Sequence, residues 1–159
     1  MERHKAVSPW LDAVYRPVSV LPGAPVAAPW TPIAAENDVI TYYAGQAVIE
    51  LYRTETVSYQ ENLGSGNPLL WVALRPRATD EHFELLLVTA DPAEGEALTG
   101  AGNDLIAAVT MPGPVARIVA SFIAEHPPER SFFKRERDRS NPRSPERRHH
   151  RSAESGSDG

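Results

Sequence analysis

Asp80, Glu81 and His82 stand side by side and are the material of acid–base chemistry. A carboxylate beside an imidazole can move a proton, but catalysis needs a third group to orient the pair. The sequence offers none nearby, and a solvated turn between two strands accounts for all three residues. The five histidines, His4, His82, His126, His149 and His150, fall at no zinc-helix spacing, and the chain has no cysteine to join them. No metal site and no bound cofactor are therefore expected. Two short glycine motifs, Gly64-Ser65-Gly66 and Gly100-Ala101-Gly102, lack the Lys-Ser/Thr of a phosphate loop and the spacing of a dinucleotide fingerprint. They read as turns. The second precedes an expected helix start, where an anion would be favoured. No catalytic residue is assigned.

The residues best placed for recognition are Arg53, Glu55, Tyr59 and Asn62. On a helix Glu55, Tyr59 and Asn62 fall at i, i+4 and i+7, on one face, with Arg53 just ahead of them. Such a group either presents a binding surface or hydrogen-bonds inward and fixes the helix to a sheet. Phe132 and Phe133, ahead of Lys134 and Arg135, form a second candidate anchor, on the body or on a partner.

Charge is unevenly distributed over the 159 residues. Residues 1–126 carry 7 Lys/Arg against 15 Asp/Glu, whereas residues 127–159 carry 9 against 6. An acidic body argues against nucleic-acid binding there, and the acids in the tail dilute its basic character. No run approaches the ~18 apolar residues of a membrane span, and no apolar stretch of a signal peptide follows the N-terminus. A cytoplasmic protein without membrane association is expected. One domain over residues 1–130 is followed by a low-complexity tail, 131–159, whose composition predicts disorder.

The stretch from Val39 to Pro76 positions the recognition residues. Val39–Ala44 and Ala47–Leu51 flank Gly45 and predict a hairpin, with Ile40, Tyr42, Ala44, Ala47, Ile49 and Leu51 on the core face. Thr54 can cap a helix that stops at Gly64. Leu69–Leu74 is apolar on both faces, as a central strand is, and should pair antiparallel with Phe83–Ala90. Six prolines before residue 38 forbid a long helix there and leave an edge strand over Tyr15–Leu21, with Trp10 and Trp30 as apolar anchors. Asp91-Pro92-Ala93-Glu94 is a helix start with cap, N1 proline and first-turn acid. Asn103 can cap a short helix over Asp104–Val109. Gly113-Pro114 opens a longer one, whose Val115, Ile118, Val119, Phe122 and Ile123 make one apolar stripe. The fold class is α+β: an antiparallel sheet of about five strands backed by the C-terminal amphipathic helix.

Several segments together carry a resemblance. They are Arg16-Pro17-Val18, Leu21-Pro22-Gly23, Trp30, Tyr43-Ala44-Gly45, Leu51-Tyr52-Arg53-Thr54-Glu55-Thr56, Asn62-Leu63, Val72-Ala73-Leu74-Arg75, Val88-Thr89-Ala90-Asp91-Pro92, Met111-Pro112 and Phe132-Phe133-Lys134-Arg135. In this order, over about residues 7–137, the chain resembles a bacterial family classed as a domain of unknown function. Its members are met near formate dehydrogenase genes, and some are labelled molybdopterin-guanine dinucleotide biosynthesis protein A. The resemblance implies a role in the expression, maturation or assembly of a molybdenum-dependent formate dehydrogenase, with a subunit of that enzyme or one of its maturation factors as protein partner. The label implies a nucleotidyltransferase, but the proline-rich N-terminus has no Gly-Gly phosphate loop and no alternating βα pattern follows it.

The reading adopted is a non-enzymatic accessory protein. Two alternatives stay open: the nucleotidyltransferase of the label, and an RNA-binding or regulatory module acting through the basic tail. Oligomeric state is not legible in the sequence.

Overall fold

The computed structural model describes residues 1–6, 13–23, 25–78, 82–99 and 102–128. Seven strands and three α-helices follow in the order β1 (Glu2–Lys5), β2 (Ala13–Arg16), β3 (Thr31–Glu36), β4 (Val39–Tyr43), α1 (Thr56–Gly64), β5 (Leu69–Pro76), β6 (Phe83–Thr89), α2 (Pro92–Leu98), β7 (Leu105–Thr110) and α3 (Gly113–Glu125). A single 3-10 turn, Arg53–Glu55, leads into α1. The protein is α+β, as its pattern predicts. Its strands divide into two antiparallel sheets, β2-β1-β4-β3 and β6-β5-β7, rather than forming one.

The division follows from what lies beside β4. Val39–Tyr43 is a strand, but β1 takes one of its edges and β3 the other. No edge remains for Ala47–Leu51, so the predicted hairpin around Gly45 does not form. The hairpin is β3–β4 instead, closed by Asn37 and Asp38 at φ 47° and 64°. Two successive left-handed residues make the primed turn whose twist suits antiparallel strands, and short polar side chains tolerate that conformation. Gly45, at φ 136°, turns the chain out of β4 past Pro29 and Leu85. From there Ile49 and Leu51 still pack against the core while Val48 and Tyr52 are exposed. The predicted division of faces thus survives for Ile49 and Leu51 without a strand, but Ala47, expected on the core face, is exposed, and in β4 it is Tyr43, from the other face, that is buried.

β5 is the central strand of the second sheet, and its pairing with β6 is as predicted. Its other edge is taken by β7, over the residues expected to be a helix after Asn103. The competing force is plain: Leu70, Val72, Ala73 and Leu74 are buried, and their backbone needs partners on both sides. A helix at 104–109 would leave one side empty. Asp104 instead accepts two hydrogen bonds from the Arg75 guanidinium, at 2.9 Å each, where the strands end.

Helix starts are legible where the side chain itself bonds. Asp91 Oδ1 accepts the Ala93 amide at 2.9 Å and Pro92 takes the first helical position. Thr54 does not cap α1; no side chain does, and Thr56 Oγ1 donates to the Arg53 carbonyl instead. On α3, Val115, Val119, Phe122 and Ile123 join the core around Tyr59, Leu70, Val72, Leu74 and Val109. Ile118, at the stripe's edge, is 64% exposed.

The first sheet is tied to the second by Trp30. Its indole Nε1 donates to the Phe83 carbonyl at 3.0 Å, and its ring stacks on His82 and meets Tyr15 edge-on. Tyr15 belongs to β2, the edge strand, which ends at Arg16, before Pro17, rather than running on to Leu21. The ring contacts hold Trp30 at φ 67°, a backbone conformation a bulky residue rarely adopts. Trp10 lies outside the described residues.

α2 reaches the second sheet through a glycine. A Cβ at Gly95 would stand 2.2 Å from Cγ of Trp71, so only hydrogen fits between this helix and the indole beneath it. Gly95→Ala should therefore lower stability in urea denaturation by about 1–3 kcal/mol or more, the range for overpacking. Gly64→Ala should cost nothing, because the space around Gly64 is open and alanine is the better helix former.

Candidate binding surface

The four recognition residues of the α1 region do not share one environment. Arg53 is exposed on the 3-10 turn and Glu55 is half-buried. Tyr59 and Asn62 are 1% and 5% exposed. The last two face inward because the inner side of this nine-residue helix is made by Thr56, Tyr59 and Asn62, at i, i+3 and i+6.

Asn62 is fully engaged. Its Nδ2 donates to the carbonyls of Leu69 and Ala90, both at 2.8 Å, and its Oδ1 accepts the Leu69 amide at 2.9 Å. One side chain thus supplies two donors and an acceptor to backbone at the start of β5 and the end of β6. Tyr59 Oη accepts the Tyr52 amide at 3.1 Å and its ring meets Phe122 edge-on. Burial pushes the Tyr59 hydroxyl above its ordinary pKa, and the charges of Asp91, Glu55 and Glu94 add to this against the hydrogen bond from Tyr52. Tyr52, 52% exposed, donates to Glu50, and that bond is the main reason its pKa is raised.

What this corner shows to solvent is therefore Tyr52, Arg53 and part of Glu55, with Val57 exposed on α1. Close by, Leu51 and residues of α3 line a groove of about 530 Å³ whose walls include Ile118, Phe122, Arg117 and Glu125. Sequence reasoning placed Ile118 in the buried stripe and did not find this groove, because Leu51 reaches α3 from a segment remote in sequence. A second concavity, about 720 Å³, runs along β1 and the β3–β4 turn and mixes Arg3 and Lys5 with Glu36 and Asp38.

Of the other candidates, His82 is described and lies against Trp30, while Asp80 and Glu81 fall outside the described residues. His4 pairs with Glu2 at 2.9 Å, and His126 stands edge-on to Phe122. Among the described residues no group of three or more His, Asp or Glu side chains could hold a metal ion. Gly102 precedes a strand, so no helix N-terminus exists there to attract an anion. Phe132, Phe133, His149 and His150 lie outside the described residues. None of the described helices is long and apolar enough to cross a membrane.

The features seen so far define a class: a mixed α+β domain of two small antiparallel sheets whose buried polar side chains hold its own backbone in place. The chain belongs to the family described as "Protein of unknown function (DUF3305)", whose model matches residues 1–137, a span that includes Phe132 and Phe133. No curated protein and no solved structure matches it.

Asn62→Ala should destabilise the fold by at least about 2–3 kcal/mol in urea denaturation, because three backbone groups lose their partner together. Tyr59→Phe, which removes one acceptor, should cost about 1 kcal/mol. Asn62→Asp keeps the acceptor and loses both donors, so it should also destabilise at neutral pH and recover part of the loss in acid, when its carboxyl gains a proton.

The Arg75–Asp104 pair carries a pH dependence. The hydrogen bonds from Arg75 hold the Asp104 carboxyl below the usual carboxylate range. A group depressed on folding adds stability above its unfolded pKa and loses it as pH falls through the folded value. Asp104→Asn should lower the urea midpoint at neutral pH. The gap from wild type should close as pH drops well below the unfolded value of about 3.9.

Proposed function

We propose that this protein is a non-enzymatic accessory factor of a molybdenum-dependent formate dehydrogenase, acting by binding an apo-subunit or one of its maturation factors. The observation that carries this reading is the surface around the 3-10 turn. Ile118 is exposed on the wall of a groove lined also by Leu51, Phe122, Arg117 and Glu125, and Tyr52, Arg53 and Val57 are exposed on the segment that follows Leu51. Exposed aromatic and aliphatic side chains interleaved with charge are the composition of protein-binding surfaces, where tyrosine and arginine do most of the work.

The site residues divide accordingly. Arg53 and Glu55 touch the partner, joined by Tyr52. Tyr59 and Asn62 act beneath them by fixing the helix that presents them. Phe132 and Phe133 supply a second anchor for the same partner. The resemblance set out above supports the identity of that partner, and the inward use of Tyr59, Asn62 and Asp91 supports binding over chemistry.

A tagged copy should bring down formate dehydrogenase subunits or cofactor-insertion proteins from native cells grown with formate and molybdate, read by mass spectrometry. The double variant Tyr52→Ala, Arg53→Glu should lose most of that recovery and lower formate dehydrogenase activity in the cell, with an unchanged circular dichroism spectrum and melting temperature. Unaltered recovery and activity would reject this surface. Saturable binding of GTP with magnesium in equilibrium dialysis would reject the non-enzymatic reading in favour of the nucleotidyltransferase.

A further inference from the structure

A β-strand with an unpaired edge offers a row of free N–H and C=O groups to any strand that can lie beside it, and proteins guard such edges with prolines, charges, bulges or covering segments. Among the described residues the two sheets have four outer edges, and three are guarded. β3 carries Pro32 and a register shift between Pro32 and Ala34. β2 has only four residues, ends at Arg16 and is followed at once by Pro17. β6 contains Glu84, its register with β5 shifts between Leu85 and Leu87, the Trp30 indole bonds its Phe83 carbonyl, and Gly45 passes beside Leu85.

β7 has none of these devices. Its sequence, Leu105-Ile106-Ala107-Ala108-Val109-Thr110, holds no proline, glycine or charge. It runs in unbroken register with β5 from Leu105 opposite Leu74 to Thr110 opposite Leu69. Among the described residues nothing hydrogen-bonds to its other edge. Ala108 and Thr110 are exposed on the face shared with Trp71, so α2, which packs on that indole, leaves this part of β7 uncovered.

We propose that β7 pairs antiparallel with β7 of a second copy of this chain, joining two three-stranded sheets into one of six strands. The inference is independent of the formate dehydrogenase reading. Two properties favour a second copy over a foreign peptide. The first is charge: the chain is acidic, net −5, so two copies repel wherever carboxylates meet. β7 is a neutral strip, and Asp104 at its end is already tied to Arg75. A basic peptide drawn to this acidic protein would find no carboxylate along β7. The second is geometry: a two-fold axis perpendicular to a sheet returns each side chain to its own face, so the axis must pass between the two copies of one residue. Ala108 meets that condition with the least bulk. It would face its own copy, with Ile106 opposite the second copy's Thr110 and Ala107 opposite its Val109, and the half-buried Ile106 would be covered.

The test is sedimentation equilibrium of the full chain from micromolar to submillimolar concentration. Wild type should dimerise reversibly. Ala108→Lys and Ala108→Glu should each raise the dimer Kd about tenfold or more, because like charges would face each other across the axis. Mixing the two variants should restore a dimer. Thr110→Lys, also exposed, would set a charge against the second copy's Ile106 and should likewise weaken the dimer, which gives a second variant should Ala108→Lys lower the melting temperature. Ala108→Cys, the sole cysteine of its chain, should oxidise to a linked dimer, since Cα atoms opposite each other across the strands lie about 4.5–5.5 Å apart, within disulfide reach. A wild-type monomer throughout the series would overturn the proposal and leave the edge to a strand of another protein. A dimer that Ala108→Lys and Ala108→Glu leave intact would overturn it equally.

Discussion

The amide of Asn62 is the interaction on which the second sheet and its helices depend. It bonds both backbone groups of Leu69 and the carbonyl of Ala90, so one side chain fixes where β5 begins, where β6 ends and where α1 lies against them. Buried backbone groups at strand ends lack ladder partners and cost free energy unless something else satisfies them. An asparagine suits the task because it alone among short side chains offers two donors and an acceptor in one plane. Around this bracket the apolar core can close: Tyr59, one turn earlier on α1, meets Phe122 of α3, and Val119 is buried beyond it.

Two further constraints locate the remaining layers. Gly95 lets α2 approach Trp71 closely enough that a methyl group would overlap the indole. Trp30 ties the four-stranded sheet to β6 through one hydrogen bond and several ring contacts, with its own backbone held in the left-handed region. The two sheets are thus linked by side chains rather than by a shared ladder. That is why seven strands do not merge into one sheet: β4 already has neighbours on both edges, and Gly45 takes the chain away from it.

The same economy shapes the candidate binding surface. Side chains that looked available for recognition, Tyr59 and Asn62, are satisfied internally, and the surface is left to Tyr52, Arg53 and the groove beside Ile118. A helix of nine residues packed on a sheet must turn one side inward, and the most capable hydrogen-bonding side chains went with that side because the strand ends there needed partners. The residues left outside owe their exposure to neighbours remote in sequence, which is why the groove between Leu51 and α3 has no local signature.

By itself the sequence determined what depends on neighbours a few residues apart: the α+β class, the central β5 with its antiparallel partner β6, the Asp91-Pro92 helix start and the amphipathic α3. Each follows from a period, a cap or a turn, and these energies are set within one or two turns of chain. Only the tertiary structure decided which edges pair. Asp104–Val109 has residues for a short helix, yet β5 required a second partner and drew Leu105–Thr110 into a strand. Ala47–Leu51 has the residues of a strand, yet β1 and β3 had taken both edges of β4. Pairing is a competition among segments far apart in the chain, settled by which buried backbone groups would otherwise go unsatisfied, and no local pattern records its outcome.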